Sequence, residues 1–213
     1  MTTARLEAFS DGVMAIIITI TVLSIRVPAD GTFSSLISLL PVFLIYIWSF
    51  QTVGTYWNNH HHLMRATLSV NAGVMWTNLH LLFWLSLIPF ATEWLGGHVG
   101  EPWPTAMYCS VLLFAAAAYE MLERAIIRHQ GKDSNLATAL GNDAKGKISL
   151  LCYVLSVVTA FISPWISYAL VTRPPGFDPV TMRVPKPAIS GRRTLEIGQK
   201  TLTGANHPQA PTG

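Results

Sequence analysis

Long apolar blocks separated by short polar links make up most of this chain. The blocks cover roughly residues 5–26, 34–57, 70–95, 103–127 and 148–172. Each contains about the 20 residues that a helix rising 1.5 Å per residue needs to cross a hydrocarbon core of roughly 30 Å. The pattern therefore predicts an all-α, polytopic helical membrane protein.

The last apolar block can be interpreted in two ways, because Ser163-Pro164 lies near its middle. Proline interrupts the hydrogen bonding of a helix interior. Residues 148–172 therefore form either one kinked helix or a fifth span followed by the beginning of a sixth, with the break near Pro164. We expect five to six transmembrane helices per subunit, all within a membrane domain of residues 1–172.

The segment that follows, residues 173–213, has a different composition. It contains seven prolines, few large apolar residues and no helical or strand periodicity. Such a segment cannot bury enough apolar surface to offset the entropy lost on ordering. We predict a disordered C-terminal tail.

Composition and charge narrow the function classes further. The chain is 51% hydrophobic and only 12% charged, which is too apolar for an ordinary soluble domain. Its net charge of +3 does not indicate a nucleic-acid partner, because the basic residues lie in the links and the tail. The membrane rule that Lys and Arg collect on the cytoplasmic side explains them better.

The basic residues of the links also predict the orientation of the chain. They follow block two and block four, at Arg65, Arg128, Lys132, Lys145 and Lys147. The link between blocks three and four contains neither Lys nor Arg. This bias predicts a multi-pass protein of the cell membrane with its N-terminus in the cytoplasm.

The first block carries polar residues at an unusual depth. Its uninterrupted apolar run, Gly12 to Ile25, would give only about 21 Å of helix, so a spanning helix must start near Arg5. Ser10 and Asp11 then lie inside the membrane, where an ionisable side chain marks a functional site by default. The alternative is that Ser10 or Asp11 only caps the helix N-terminus at the interface.

This stretch also resembles a known family. Arg5, followed after three residues by Phe9-Ser10-Asp11 and an Ile/Leu/Thr-rich span, is similar to the signature of the potassium channels named for transmembrane protein 175, including their single-repeat bacterial relatives. The resemblance extends over roughly residues 4–172, through Tyr56-Trp57, His60-His61, Asn78-Leu79 and Pro89. It implies a potassium-permeable channel with six spans per subunit, assembled as a homotetramer.

One face of the first helix is the candidate pore lining. On a wheel of 100° per residue, Gly12, Ile16, Thr19 and Leu23 fall within about 60° of one another, with Ile20 beside Ile16. Periodicity alone favours ordinary packing or lipid contact for such a stripe. The resemblance implies that Ile16, Thr19, Ile20 and Leu23 line the pore, where branched apolar side chains would discriminate between ions by dehydration.

The polar residues of the same helix are expected to hold the bundle together. Arg5 and Asp11 are six residues apart and therefore lie on different faces, so each would pair with another helix. The resemblance implies His61 and Asn78 as partners in a structural network with Arg5, Ser10 and Asp11.

We expect no metal site, no cofactor and no catalysis. Three consecutive histidines, His60, His61 and His62, point about 100° apart on a helix and cannot converge on one ion. The sequence also has neither a nucleophile elbow nor a His-Glu-x-x-His motif, which argues against an enzyme.

The leading hypothesis is a passive, potassium-permeable cation channel, with potassium ions, the lipid bilayer and further copies of the chain as its partners. One alternative is a proton- or ion-coupled secondary transporter that uses Asp11, for which paired discontinuous helices or internal repeats would be evidence. The other alternative is a membrane scaffold without a pore.

Truncation after Thr172 tests the predicted tail. Since residues 173–213 offer little apolar surface to bury, their removal should leave both oligomer assembly and ion flux unchanged. Size-exclusion chromatography and a liposome flux assay measure the two properties. Collapse of the oligomer in the truncated protein would contradict the prediction of a dispensable tail.

Overall fold

The computed structural model describes residues 2–131 and 144–172, and every regular element in these ranges is a helix. The helices are α1 (Thr3–Leu23), α2 (Phe33–Ser38), α3 (Leu40–Arg65), α4 (Ala72–Ser86), α5 (Ile88–Gly97), α6 (Pro102–Gln130), α7 (Ala144–Thr159) and α8 (Pro164–Thr172). The predicted all-α class is thus confirmed. The predicted tail, residues 173–213, lies outside the described residues.

Prolines lie in the first turns of four helices, and three of these helices begin inside an apolar block of the sequence. Pro41 lies in the first turn of α3, Pro89 lies in the first turn of α5, and Pro164 is the first residue of α8. Proline is tolerated in a first turn because its missing N–H would have no partner in the helix there. Each apolar block that contains one of these prolines is therefore divided into two helices.

Three segments of the described chain are long and apolar enough to cross a membrane: Thr3–Leu23, Ala72–Gly97 and Pro102–Gln130. The second of them contains α4 and α5, which adjoin at Leu87. The sequence pattern predicts five apolar blocks, and the second and the last of them are absent from this set for a physical reason. Polar residues dilute the second half of α3, and the last block is divided between α7 and α8.

The core of the bundle lies where α4 packs against α6. Leu81 and Leu85 of α4 are fully buried, as are Ala115 and Ala118 of α6. Small residues let helix backbones approach closely, which strengthens the van der Waals packing that membrane helices depend on. The helix α1 packs against α3, α4 and α5, while α7 and α8 pack against α6.

A buried set of hydroxyls joins three helices inside this bundle. Ser49 Oγ of α3 lies 2.8 Å from Thr92 Oγ1 of α5 and 3.0 Å from Tyr108 Oη of α6. All three side chains are buried. Since buried polar groups are costly without partners, these bonds favour one arrangement of the three helices over others.

Substitution of Leu81 by Ala tests the assignment of the core. Leu81 is fully buried, and the cavity left by Leu81→Ala should lower the free energy of unfolding by about 2–5 kcal/mol. Equilibrium unfolding in detergent micelles measures this loss. The matched control is Leu44→Ala, because Leu44 is 57% exposed and its truncation should change stability by less than about 0.5 kcal/mol. Equal losses in the two variants would contradict this core.

Candidate functional site

One face of α1 is buried in the bundle. Its buried residues follow one another at intervals of four or three, as expected for one side of a helix, and they are Leu6, Ser10, Met14, Ile17 and Thr21. They face α3, α4 and α5, the helices that pack against α1. The rotation of α1 about its own axis is therefore set by the packing of this face.

The opposite face of α1 is uncovered in the single chain. Ile16 is 59% exposed, Ile20 49% and Leu23 76%, and Thr19 is exposed among them. These four residues are the ones that the resemblance implies as pore-lining. The structure thus places all of them on one side of one helix, turned away from the rest of their own subunit.

Thr19 presents an oxygen atom within this apolar face. Its hydroxyl donates a hydrogen bond of 2.9 Å to the Ala15 carbonyl, one turn earlier in α1. Because the hydrogen points back along the helix, the lone pairs of the oxygen remain available to accept from, or to coordinate, a group outside the subunit.

A buried hydrogen-bond chain anchors the other side of α1. His60 Nε2–H donates to Asn78 Oδ1 over 2.7 Å, and Asn78 Nδ2–H donates to Ser10 Oγ over 2.9 Å. The Ser10 hydroxyl in turn donates to the Leu6 carbonyl over 2.9 Å. The hydrogen bonds in this series all run in the same direction, from His60 to the Leu6 carbonyl. They join α3, α4 and α1, and the side chains of His60, Asn78 and Ser10 are shielded from solvent.

A second polar cluster lies between the first half of α1 and the second half of α3. His61 Nδ1–H donates to Glu7 Oε1 over 2.7 Å, and Trp57 Nε1–H donates to Asp11 Oδ1 over 3.1 Å. The Trp57 and His61 rings stack with their centroids 6.1 Å apart. Glu7 and Asp11 are one turn apart on α1, so α3 contacts both carboxylates with residues that are also one turn apart.

The predicted polar network is divided between these two clusters. Ser10 and Asn78 contact each other directly, whereas Asp11 and His61 belong to the second cluster. Arg5 is exposed, and among the described residues its side chain makes no hydrogen bond or ion pair; its backbone N–H donates to the Thr2 carbonyl over 3.1 Å.

Sequence reasoning missed His60, Glu7 and Trp57. The helical period of α3 contains the signal for His60, because the buried positions Ser49, Val53, Tyr56, His60 and Leu63 recur every three or four residues. His61 lies one position further, about 100° away. This period is a weak signal for His60, because the buried face of α3 also carries hydroxyl-bearing residues and is not uniformly apolar.

His60 and His61 have different surroundings, in agreement with their angular separation on α3. His60 bonds to Asn78 and His61 bonds to Glu7. Across residues 2–131 and 144–172, no group of three or more His, Cys, Asp or Glu side chains is arranged to hold a metal ion.

Comparison with known proteins extends what the geometry shows. Residues 5–89 match the family model described as "Endosomal/lysosomal potassium channel TMEM175". A potassium channel of Chryseobacterium sp. is 52% identical over 167 residues, which cover 78% of this chain and 87% of that protein. A potassium channel of Chamaesiphon minutus is 30% identical over 179 residues, which cover 78% of this chain and 87% of that protein.

The fold is also similar to that of a solved structure. The crystal structure of a lysosomal potassium-selective channel TMEM175 homolog from Chamaesiphon minutus superposes with a TM-score of 0.68 at 29% sequence identity. The matched region covers 79% of this chain and 92% of that chain.

Substitution of Asn78 tests the buried chain of hydrogen bonds. Asn78→Ala removes both bonds of the amide, which leaves the His60 Nε2–H and the Ser10 oxygen without their partner inside the bundle. The free energy of unfolding in micelles should fall by about 1–3 kcal/mol. The control is Thr77→Ala, because the Thr77 hydroxyl donates to the Gly73 and Val74 carbonyls of its own helix. If both variants are as stable as the parent, Asn78 does not anchor α1.

Proposed function

This chain belongs to the TMEM175 potassium channel family, and we propose that it is a potassium-permeable cation channel whose pore is lined by α1 from several copies of the chain. The single observation that supports this pore most strongly is that one side of α1 is buried and the other side is exposed. Ser10 and Ile17 are buried within the subunit, whereas Ile16, Ile20 and Leu23 are about half exposed or more.

A pore along α1 requires more than one copy of the chain. A single helix face cannot enclose a water path, so the exposed face must meet its equivalents around a symmetry axis. The resemblance to the family supports four copies, and the Lys and Arg residues of the links support a cell-membrane protein with its N-terminus in the cytoplasm. The resemblance also supports five to six membrane-spanning helices in each subunit.

The proposed constriction works by dehydration. Rings of Ile16, Ile20 and Leu23 side chains would form a narrow apolar neck, and such a neck cannot replace the water shell of an ion. Potassium loses its water more easily than sodium, so the neck favours potassium, but modestly. The sequence contains no Thr-Val-Gly-Tyr-Gly filter that could supply rings of carbonyl ligands.

Thr19 is proposed to form a ring of hydroxyl oxygens within this apolar neck. Its hydroxyl hydrogen is bonded to the Ala15 carbonyl, so its oxygen can face the ion as an acceptor. A ring of such oxygens would partly replace lost water and so lower the barrier next to the apolar rings.

The buried chain from His60 to Ser10 is proposed to act on the pore indirectly. Its members are fully buried within the subunit, and by fixing the rotation of α1 they would turn Ile16 and Leu23 to the common axis. We therefore assign Ser10, Asn78 and His60 a structural role, and we give the same role to Asp11 and His61 in the second cluster.

The test is the substitution Ile16→Asn in the full chain. An amide at this position would hydrate the neck, so cation flux into liposomes should rise and the preference for potassium over sodium should fall. Flux assays with potassium and sodium gradients measure both quantities, and size-exclusion chromatography verifies assembly.

The matched control is Ile47→Asn, because Ile47 is 48% exposed but lies on α3. Ile18 is a poorer control, since it packs partly against the core and its substitution could unfold the protein. If Ile16→Asn assembles normally but conducts and selects like the parent, Ile16 does not line the constriction. A flux that saturates and depends on a second ion gradient would indicate the coupled transporter instead.

A further inference from the structure

A pocket of about 670 Å³ lies where α1 ends, at the opposite end of that helix from the polar clusters. It is lined by the last turn of α1 with Arg26, by the beginning of α3 and by the helix α5. None of the four proposed pore-lining residues contributes to its wall, and neither do Ser10, Asn78 or His60. The pocket is therefore separate from the site described above.

Two opposite charges stand at the pocket. Arg26 Nη2 lies 3.9 Å from Glu93 Oε1, and the two side chains are 90% and 51% exposed. An ion pair that is this long and this exposed contributes little to stability, because water screens it and both side chains remain mobile. Both groups can therefore exchange their mutual contact for contacts with a ligand.

The remaining wall of the pocket is largely apolar. Val42 and Tyr46 come from α3, and Phe90 and Trp94 come from α5. Tryptophan is enriched at the level of lipid headgroups, where its apolar ring and polar N–H meet different surroundings. A ligand that fits such a pocket carries charge at one end and a hydrocarbon chain at the other.

We propose that this pocket binds one phospholipid with a zwitterionic, phosphatidylethanolamine-type headgroup. The Arg26 guanidinium would donate to the phosphate, a pairing that the fork of Arg suits. The Glu93 carboxylate would accept from the ammonium, and one acyl chain would lie along Val42 and Phe90. The inference needs the membrane placement of the chain but not the pore.

Charge complementarity selects a zwitterionic lipid over an anionic one. A single cation beside a single carboxylate gives the pocket no net formal charge at these two positions. Glu93 therefore attracts an ammonium group and repels a second negative charge. His98 also lines the pocket, where its Nδ1–H donates to the Trp94 carbonyl over 3.1 Å.

The experiment measures lipid retention by native mass spectrometry. The full-length protein is equilibrated with mixed micelles of equimolar phosphatidylethanolamine and phosphatidylglycerol, and its bound lipids are counted. The parent protein should retain phosphatidylethanolamine with a roughly two- to fivefold preference, which is the factor expected from one solvent-exposed charge pair. Retention in the proportions of the micelle would overturn the proposal.

Charge variants separate the two headgroup contacts. Glu93→Gln should abolish the preference for phosphatidylethanolamine without lowering total retention, whereas Arg26→Gln should lower retention of both lipids. Glu101→Gln is the control, because Glu101 is exposed at the same end of the bundle but does not line the pocket. If Glu93→Gln keeps the preference of the parent, the carboxylate does not bind the headgroup.

A third variant tests the acyl-chain part of the pocket. Gly97 lines the pocket, and a side chain added there would meet no atom within 4 Å. Gly97→Leu should therefore fill the pocket and reduce retention of both lipids. The matched control is Gly54→Leu, since Gly54 has equal space but does not line the pocket.

Unchanged retention in Gly97→Leu would overturn the proposal even if the charge variants failed to assemble. Because the readout is bound lipid, a protein that conducts no ions could still retain phosphatidylethanolamine. A conducting protein could likewise retain no lipid at all. The two proposals therefore fail independently.

Discussion

The hydrogen bond between Asn78 and Ser10 acts together with the apolar packing of α1 to fix which side of that helix faces the bundle. An amide in the buried interior is stable only when its donors and acceptors have partners, and Asn78 finds them in Ser10 on one side and His60 on the other. A rotation of α1 by one residue, about 100°, would break this contact and bury a different face. The exposed position of Ile16 thus depends on a contact made six residues earlier in the same helix.

The helix α1 can present an apolar face because its hydroxyls from Ser10 onward donate within the helix, whereas Thr3 at its start donates to the Thr67 carbonyl. Ser10, Thr19, Thr21 and Ser24 each donate to the carbonyl four residues before them. A hydroxyl that donates to its own helix needs no donor or water from outside, which allows it to lie in an apolar environment. At Thr19 this arrangement leaves an oxygen on the exposed face, and this is the only polar atom that the proposed neck requires.

The other helices of the bundle hold α1 in place through its buried face. Helix breaks at Pro41 and Pro89 start α3 and α5, and the hydroxyl set of Ser49, Thr92 and Tyr108 joins these two helices to α6. The same two helices form most of the pocket at the far end of α1. Polar contacts thus stabilise the packing around α1 near both of its ends, while Thr19 on its exposed face bonds within α1 itself.

The amino-acid sequence by itself determined the helical class, the helix break near Pro164 and the single face of α1 that carries Ile16, Thr19, Ile20 and Leu23. These properties depend on residues close together in the chain, since apolar period and proline chemistry act over a few turns. Only the tertiary structure decided that His60 rather than His61 bonds to Asn78, that Asp11 pairs with Trp57, and that Arg5 is exposed. The physical reason is that each of these outcomes depends on how α1, α3 and α4 rotate against one another, and this rotation is set by packing between residues far apart in the chain.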